Sequence, residues 1–281
     1  MPVSAGNDSI VPCSLCKSLI FKPALECEGF YFVRCVKCGL VQRNPQPDKN
    51  EVRERYSSTF GNDYLSYELK NEDTFLKLQQ LALKDAKFNK LEKILFSAGA
   101  PPPSFLDIGC ATGALILNLK NNGWQTTGVE ISPCAVYARN ERNLDVRSLV
   151  LEENNFTSCY FDVIHASHLI EHLNDPCAFL TEAHRILKKN GHLFISTPNI
   201  SGFQARLFGG KWRSAIFDHL YLFSKHTLKK MLKDTGFKIE ICRTWGGLAA
   251  GITSGWLKKA ADFLVKPFGC GDVMIIRARK Q

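Results

Sequence analysis

The stretch FLDIGCATG, Phe105–Gly113, decides the fold. A short apolar run ends at Asp107, the chain then passes Gly109 and Gly113, and ALILNLKNN follows with a helical rhythm. A strand that turns through glycines into a helix N-terminus is the cofactor cradle of doubly wound sheets. Glycine permits the turn, and the helix start offers unpaired N–H groups. The glycines are spaced G-x-x-x-G, and no G-x-G-x-x-G can be drawn, so a nicotinamide-type dinucleotide site is not expected. Twenty-one residues beyond Gly109 the next apolar segment closes in GVEIS, where Glu130 can accept both hydroxyls of a ribose.

Working outward, strand-like and helix-like segments alternate from Ser104 onward, which specifies an α/β domain. Strands are expected at FLDIG, WQTTGVE, DVRSLVL, FDVIHAS, GHLFISTP, FKIEICRTW and DVMIIRARK, with helices near 113–122, 133–142, 177–189 and 225–235. Upstream, GAPPP closes a charged segment in which Phe75, Leu78, Leu81, Phe88, Leu91 and Leu95 recur at helical spacing, predicting one amphipathic face. At the front, Cys13, Cys16, Cys35 and Cys38 form C-x2-C-x18-C-x2-C, the spacing of a four-thiolate structural Zn(2+) site. A ribbon this small has too little core of its own, so the ion would supply its folding energy. The pair recurs at both ends of the ribbon, which argues against a redox dithiol. The expected organisation is a zinc ribbon over 1–45, a helical linker or lid over 46–100 and a cofactor-binding domain over 101–281.

The chain has 281 residues, 45% hydrophobic and 22% charged, enough for a sizeable core and unlike a disordered tail. Its net charge of +9 is spread along the chain, which favours a solvated basic surface over a nucleic-acid tract. No leader is visible in 1–20 and no apolar run reaches the roughly 18 residues a spanning helix needs, so a soluble, cytoplasmic protein is expected. Eleven cysteines, four at metal spacing and seven scattered, suit a reducing compartment.

Over roughly 104–281 the chain resembles the class I S-adenosylmethionine-dependent methyltransferases, particularly the small-molecule branch that includes the ubiquinone O-methyltransferases. LDIGCATG, GVEIS, FDVIHASHLIEHLNDP, EAHRILKKNGHLFISTPN and HLYLFSKHTLKKMLKDTGF carry the resemblance. The four-cysteine ribbon, NPQP and the segment Tyr56 to Tyr67 look like the front end of methyltransferases associated with sugar modification. The resemblance implies a Rossmann-like seven-stranded sheet flanked by helices, and S-adenosylmethionine as cofactor. Asp107, Gly109, Ala111 and Gly113 would surround the methionine end, Glu130 would hold the ribose and Ile131 would lie against the adenine, near Ala166. The family often has glycine at Ala111. Its adenine-binding aspartate slot falls near Val150, which cannot accept a hydrogen bond; Glu152 is the candidate substitute.

The segment SHLIEHLNDP, Ser167–Pro176, contains the His-x-x-Glu-His of one class of zinc peptidase. Asn174-Asp175-Pro176 leaves no room for the long helix a peptidase needs, so the segment is read as the pocket edge. His168, His172 and His219 are candidate bases for an acceptor hydroxyl. Alternatively His168, Glu171 and His172 hold a divalent ion there, or all pack as structure; the quinone methyltransferases have glutamate at His168. Phe203, Phe208, Trp212, Phe217, Tyr221 and Phe223 either wall an acceptor pocket or belong to the core. The segment 248–271, with Trp256, Lys258, Lys259 and Lys266, is a candidate for peripheral membrane contact, a lid or a dimer contact. The expected activity is methyl transfer, by O-methylation, to a small-molecule, saccharide-type or lipid-linked acceptor. Two alternatives stand beside it: a non-catalytic cofactor-binding scaffold and a nucleic-acid-modifying methyltransferase. STPN where an NPPY-type tetrapeptide would stand, and the missing basic run, weigh against specific nucleic-acid binding.

Overall fold

The computed structural model describes residues 11–48, 51, 59–97, 101–246 and 269–281. Two sheets are built, of four and seven strands. The four-stranded sheet begins with β1 (Phe21–Cys27), β2 (Phe30–Cys35) and β3 (Val41–Arg43), all antiparallel. The helices α1 (Thr59–Asp85) and α2 (Phe88–Leu95) follow.

The larger sheet takes β4 (Ser104–Ile108), β5 (Gln125–Val129), β6 (Val146–Arg147), β7 (Phe161–Ser167), β8 (Leu187–Pro198), β10 (Phe237–Trp245) and β11 (Val273–Lys280). The short β9 (Tyr221–Leu222) joins the other sheet. The strand order is β10-β11-β8-β7-β4-β5-β6, with β11 antiparallel to both neighbours and β4 to β8 parallel. All five residues of β4 are buried, as a parallel strand covered on both faces requires. The chain leaves β4 towards β5 on one side and returns to β7 on the other, so a crevice opens at their carboxyl ends.

Alternate residues of these strands feed two cores. Phe105, Val163, Phe194 and Ile275 meet Leu115, Ile116 and Leu119 of α3 (Ala114–Asn121), Ala135 and Ala138 of α4 (Cys134–Arg142), and Phe88 and Leu91 of α2. On the opposite face Leu106, Ile164, Leu193 and Ile276 meet α5 (Pro176–Ile186) and α7 (Lys225–Asp234). Burying one such leucine or isoleucine contributes about 1.5–3 kcal/mol.

Three expectations are corrected. The face proposed for the charged segment holds in its second half, where Phe88 and Leu91 are buried, but is misplaced in its first: Leu78 and Leu81 are 48% and 57% exposed, whereas Ala82, Leu83 and Ala86 are buried. The helix breaks at Lys87, which has a left-handed φ of 63°, and this break rotates the buried stripe. The strand DVRSLVL shortens to Val146–Arg147, because a 3-10 turn at Leu151–Glu153 takes its end. The helix expected over 177–189 ends at Ile186, where β8 begins without a loop.

The four-stranded sheet crosses the boundary drawn at residue 45. Its last strand, β9, comes from the segment after β8, pairing Val41 with Leu222 and Gln42 with Tyr221. Cys13, Cys35 and Leu40 share one core with Tyr221, Phe223 and Leu228, and Phe32 and Val41 share another with Trp212 and Leu222. Trp212, Tyr221 and Phe223 are therefore core, while Phe203 and Phe208 of α6 (Phe203–Phe208) are exposed. Gly210 sits so close to the Glu26 carbonyl that no Cβ fits. Among the described residues no helix is long and apolar enough to cross a membrane, and 247–268, most of the segment considered for membrane contact, lies outside them.

Candidate cofactor and acceptor site

Asp107 and Glu130 end β4 and β5 side by side at the crevice, both almost fully buried. Asp107 Oδ1 lies 2.7 Å from His165 Nδ1 on the adjoining strand, where the two residues are register partners. Asp107 Oδ2 is buried with no partner, an acceptor that a bound donor group would satisfy. Glu130 accepts from the backbone N–H of Ala111 at 3.0 Å and of Ser132 at 2.8 Å, one on each oxygen, which fixes its plane and leaves further lone pairs.

The glycine turn explains its residues. Gly109 and Gly113 have φ of 73° and 79°, and a Cβ at Gly113 would come within 2.7 Å of Leu144 Cδ1. Ala111 has a φ of 46°, a left-handed conformation that costs a non-glycine residue roughly 1–2 kcal/mol. Ala111→Gly is expected to raise stability by up to about 1 kcal/mol, the strain relieved exceeding the added unfolded-state entropy. A lower urea midpoint for this variant would contradict the strain assignment.

Helix α1, within the segment expected to be a helical linker or lid, lies over this turn; Glu72, which makes the contact, was not singled out from sequence, because four-residue spacing of polar groups within a charged helix gave no signal. Glu72 accepts from Thr112 Oγ1 at 2.5 Å and from Arg142 at 2.7 Å. Burial would raise the Glu72 carboxyl, but Arg142 and Thr112 outweigh it and hold it below its ordinary value. Tyr64 lies near Glu130, and burial followed by the Glu130 and Glu68 carboxylates pushes its hydroxyl well up. Glu72→Ala is expected to cost about 1.5–3 kcal/mol, the range for a charge-assisted bond, and to speed amide exchange along α1. Unchanged exchange over 63–85 would show that Glu72 does not fasten the helix.

Of the other cofactor candidates, Ala166 is buried at the end of β7 and Ile131 is half-buried after β5. Glu152 is exposed in the 3-10 turn, and Asn154 beside it is buried with its Oδ1 unpartnered.

A second cluster lies after β7 and β8. SHLIEH forms only a 3-10 turn, Ile170–His172, and Asp175 with Pro176 starts α5 by capping the N–H groups of Cys177 and Ala178. A peptidase helix is thereby absent from this segment. Glu171 is fully buried and its Oε2 accepts from Thr197 at 2.9 Å. His168, half exposed with φ 51°, places Nδ1 at 3.3 Å from Glu171 Oε1. Burial opposes ionisation of Glu171, but His168, His172 and His219 overcome it and hold the carboxyl at about 2.

His219 Nδ1 lies 2.8 Å from the Ser214 carbonyl and His172 Nδ1 3.0 Å from the Asp218 carbonyl. A carbonyl only accepts, so each ring carries a proton on Nδ1, and Nε2 is the nitrogen left to take up or give up a second one. The rings meet edge to face at 4.6 Å. Burial, then His172, lower His219 to about 4, keeping it neutral at physiological pH. Donor atoms of Glu171, His172 and His219 all fall within 4.8 Å of one another. This corrects the expected ion-binding trio: His219, brought in from 47 residues away in sequence, takes the place of His168.

The four ribbon cysteines also converge, with all sulfurs within 4.8 Å and the pairs Cys13–Cys38 and Cys16–Cys35 at 3.4 Å. A tetrahedral four-thiolate site needs sulfurs about 3.8 Å apart, so the residues fit one ion.

A profile of the family described as "Methyltransferase domain" matches residues 78–240, more than half of the chain. The chain belongs to this methyltransferase family. A ubiquinone biosynthesis O-methyltransferase from Pseudomonas aeruginosa is 30% identical over 109 residues, 36% of this chain and 47% of the relative. The chain thus spans about half the length of the curated relatives it matches. Among solved structures, a methyltransferase from Thermotoga maritima, described as a possible histamine N-methyltransferase, superposes with a TM-score of 0.56 at 24% identity, covering 82% of this chain and 99% of that one. The magnesium protoporphyrin IX methyltransferase of Synechocystis, solved with bound S-adenosylhomocysteine, gives 0.57 at 16% identity, covering 83% of this chain and 100% of that one. At these identities the two structures establish the fold, that of class I S-adenosylmethionine-dependent methyltransferases. The cradle of this methyltransferase domain fits such a cofactor: Asp107 offers an unpaired buried acceptor, and Glu130 is held with lone pairs to spare.

Proposed function

We propose that the protein transfers the methyl group of S-adenosylmethionine to a hydroxyl of a small-molecule acceptor, saccharide-type or lipid-linked. What supports this most is the placement of two histidines, each with Nδ1 against a backbone carbonyl, and a buried carboxylate beside a cradle ending in Asp107 and Glu130. The acceptor oxygen attacks the methyl carbon, the carbon–sulfur bond breaks, and the sulfur takes the bonding pair to leave as a neutral thioether. The hydroxyl proton passes to an imidazole Nε2, that of His172 or His219, with Glu171 offsetting the positive charge that develops. Alignment of oxygen, carbon and sulfur supplies most of the acceleration, since the sulfonium is already activated. Asp107 would hold the amino group of the methionine moiety and Glu130 the ribose, with Gly109, Ala111 and Gly113 shaping the turn, and Ile131, Glu152 and Ala166 around the base. The four cysteines would hold a structural zinc ion.

A second reading of the acceptor side has its own support. Both histidines donate Nδ1–H to backbone carbonyls, the usual outer partner of a metal-ligating imidazole, and with Glu171 they fit a divalent ion that would lower the acceptor's pKa. Metal analysis of wild type against His219→Ala separates this ion from the ribbon's.

The test of the activity is incubation of the full chain with methyl-labelled S-adenosylmethionine and cell extract, followed by identification of the labelled product. Label on a hydroxyl oxygen supports the proposal. Cofactor binding with nothing labelled would favour a scaffold, and label in nucleic acid would favour the modifying enzyme.

A further inference from the structure

We propose that Arg43 is a positioning residue for the acceptor site, holding the segment that carries His219 from the ribbon side and so linking the four-cysteine centre to that site. The inference rests on the acceptor site and zinc centre of the proposed function.

Arg43 ends β3 and is 4% exposed. Its backbone N–H donates to the Leu220 carbonyl at 2.8 Å, and its guanidinium donates to the Phe217 carbonyl at 3.1 Å. The guanidinium also lies 3.9 Å from the centre of the Phe217 ring. These contacts fall on either side of Asp218 and His219. The Asp218 carbonyl fixes the tautomer of His172, and the Leu220 N–H donates to the Glu171 carbonyl at 2.8 Å. Residues 217–220 are thus gripped between Arg43 and the Glu171 turn, and the mutual placement of Glu171, His172 and His219 depends on both.

Arg43 is itself held by the ribbon. The preceding Gln42 is fully buried, accepts from Ser14 N–H beside Cys13 and donates to the Val11 carbonyl. Cys35 N–H donates to the Leu40 carbonyl at the entry to β3. Disorder at the cysteines would release β3, and with it the pairing to β9. Lysine cannot replace Arg43, because only a planar fork both stacks on a ring and reaches a carbonyl in a fixed direction.

The test uses full-length protein labelled with 15N-histidine. Long-range proton–nitrogen NMR reads the His172 and His219 tautomers, hydrogen exchange reads Leu220–Leu222, and calorimetry with S-adenosylhomocysteine reads the cofactor site. Arg43→Lys is expected to mix the two tautomers and raise exchange at Leu220–Leu222 about tenfold through easier local opening. Nucleoside affinity should stay within about twofold, as expected for separated sites. Chelation of the wild-type chain should reproduce the tautomer and exchange changes, and it decides the matter if Arg43→Lys does not fold. Unchanged tautomers and exchange in a folded, nucleoside-binding Arg43→Lys protein would overturn the proposal. A wild-type chain that fails to bind the nucleoside would defeat the cofactor reading instead. A chain purified without metal would defeat the zinc reading and leave Arg43→Lys to decide.

Discussion

Glu130→Ala is expected to weaken binding of S-adenosylhomocysteine by about a hundredfold, from loss of two charge-assisted hydrogen bonds worth roughly 1.5–3 kcal/mol each, partly offset by water. Ala111 and Ser132 N–H groups grip one oxygen each, so the carboxylate would meet a ribose without reorganising. Asp107→Ala is expected to cost at least about tenfold, an unpaired buried acceptor being removed and His165 losing its partner. Asp107→Asn and Glu130→Gln serve as controls that keep shape and remove charge. Calorimetry showing wild-type affinity in both alanine variants would refute the cradle assignment.

The second large effect is a loss of stability in acid. His219 is lowered to about 4 in the folded protein. Below its unfolded value, near 6.5, the unfolded chain binds a proton that the folded chain refuses, so stability is complete above that value and falls with pH down to about 4. Glu171 is lowered to about 2, so its contribution is complete above its unfolded value near 4.5 and is lost as pH falls below it. Together they predict a loss of about 3–4 kcal/mol between pH 7 and pH 4, two-thirds or more from the imidazole. Urea unfolding at intervals of pH tests this. His219→Gln should remove close to one proton from the slope between pH 6.5 and 4, and an unchanged slope would mean that His219 is charged in the fold.

The strand, turn and helix around FLDIGCATG were legible because each step is local: an apolar run, a glycine conformation and a helix start. For the same reason, Asp107 and Glu130 could be placed at the ends of adjoining strands. The four cysteines were legible from spacing alone. Pairings that close over long sequence distances were not. Neither Glu72 against Arg142 nor Arg43 against Phe217 leaves a mark on its own segment. The sequence grouped Glu171 and His172 with His168 and named His219 apart; only the fold brought His219 within reach of Glu171 and His172. The misplaced face of α1 has a similar cause, since a left-handed residue at Lys87 shifts the phase of any helical pattern running through it.

The strand shared by Val41–Arg43 and Tyr221–Leu222 bears on how such a chain can evolve. A cysteine-bearing module joined only by a tether can be gained, dropped or exchanged between genes. Here the module and residues 199–223 are halves of one fitted object, down to a position at Gly210 that admits no side chain. The two halves must be inherited together, and a chimera exchanging one alone would begin with mismatched edges.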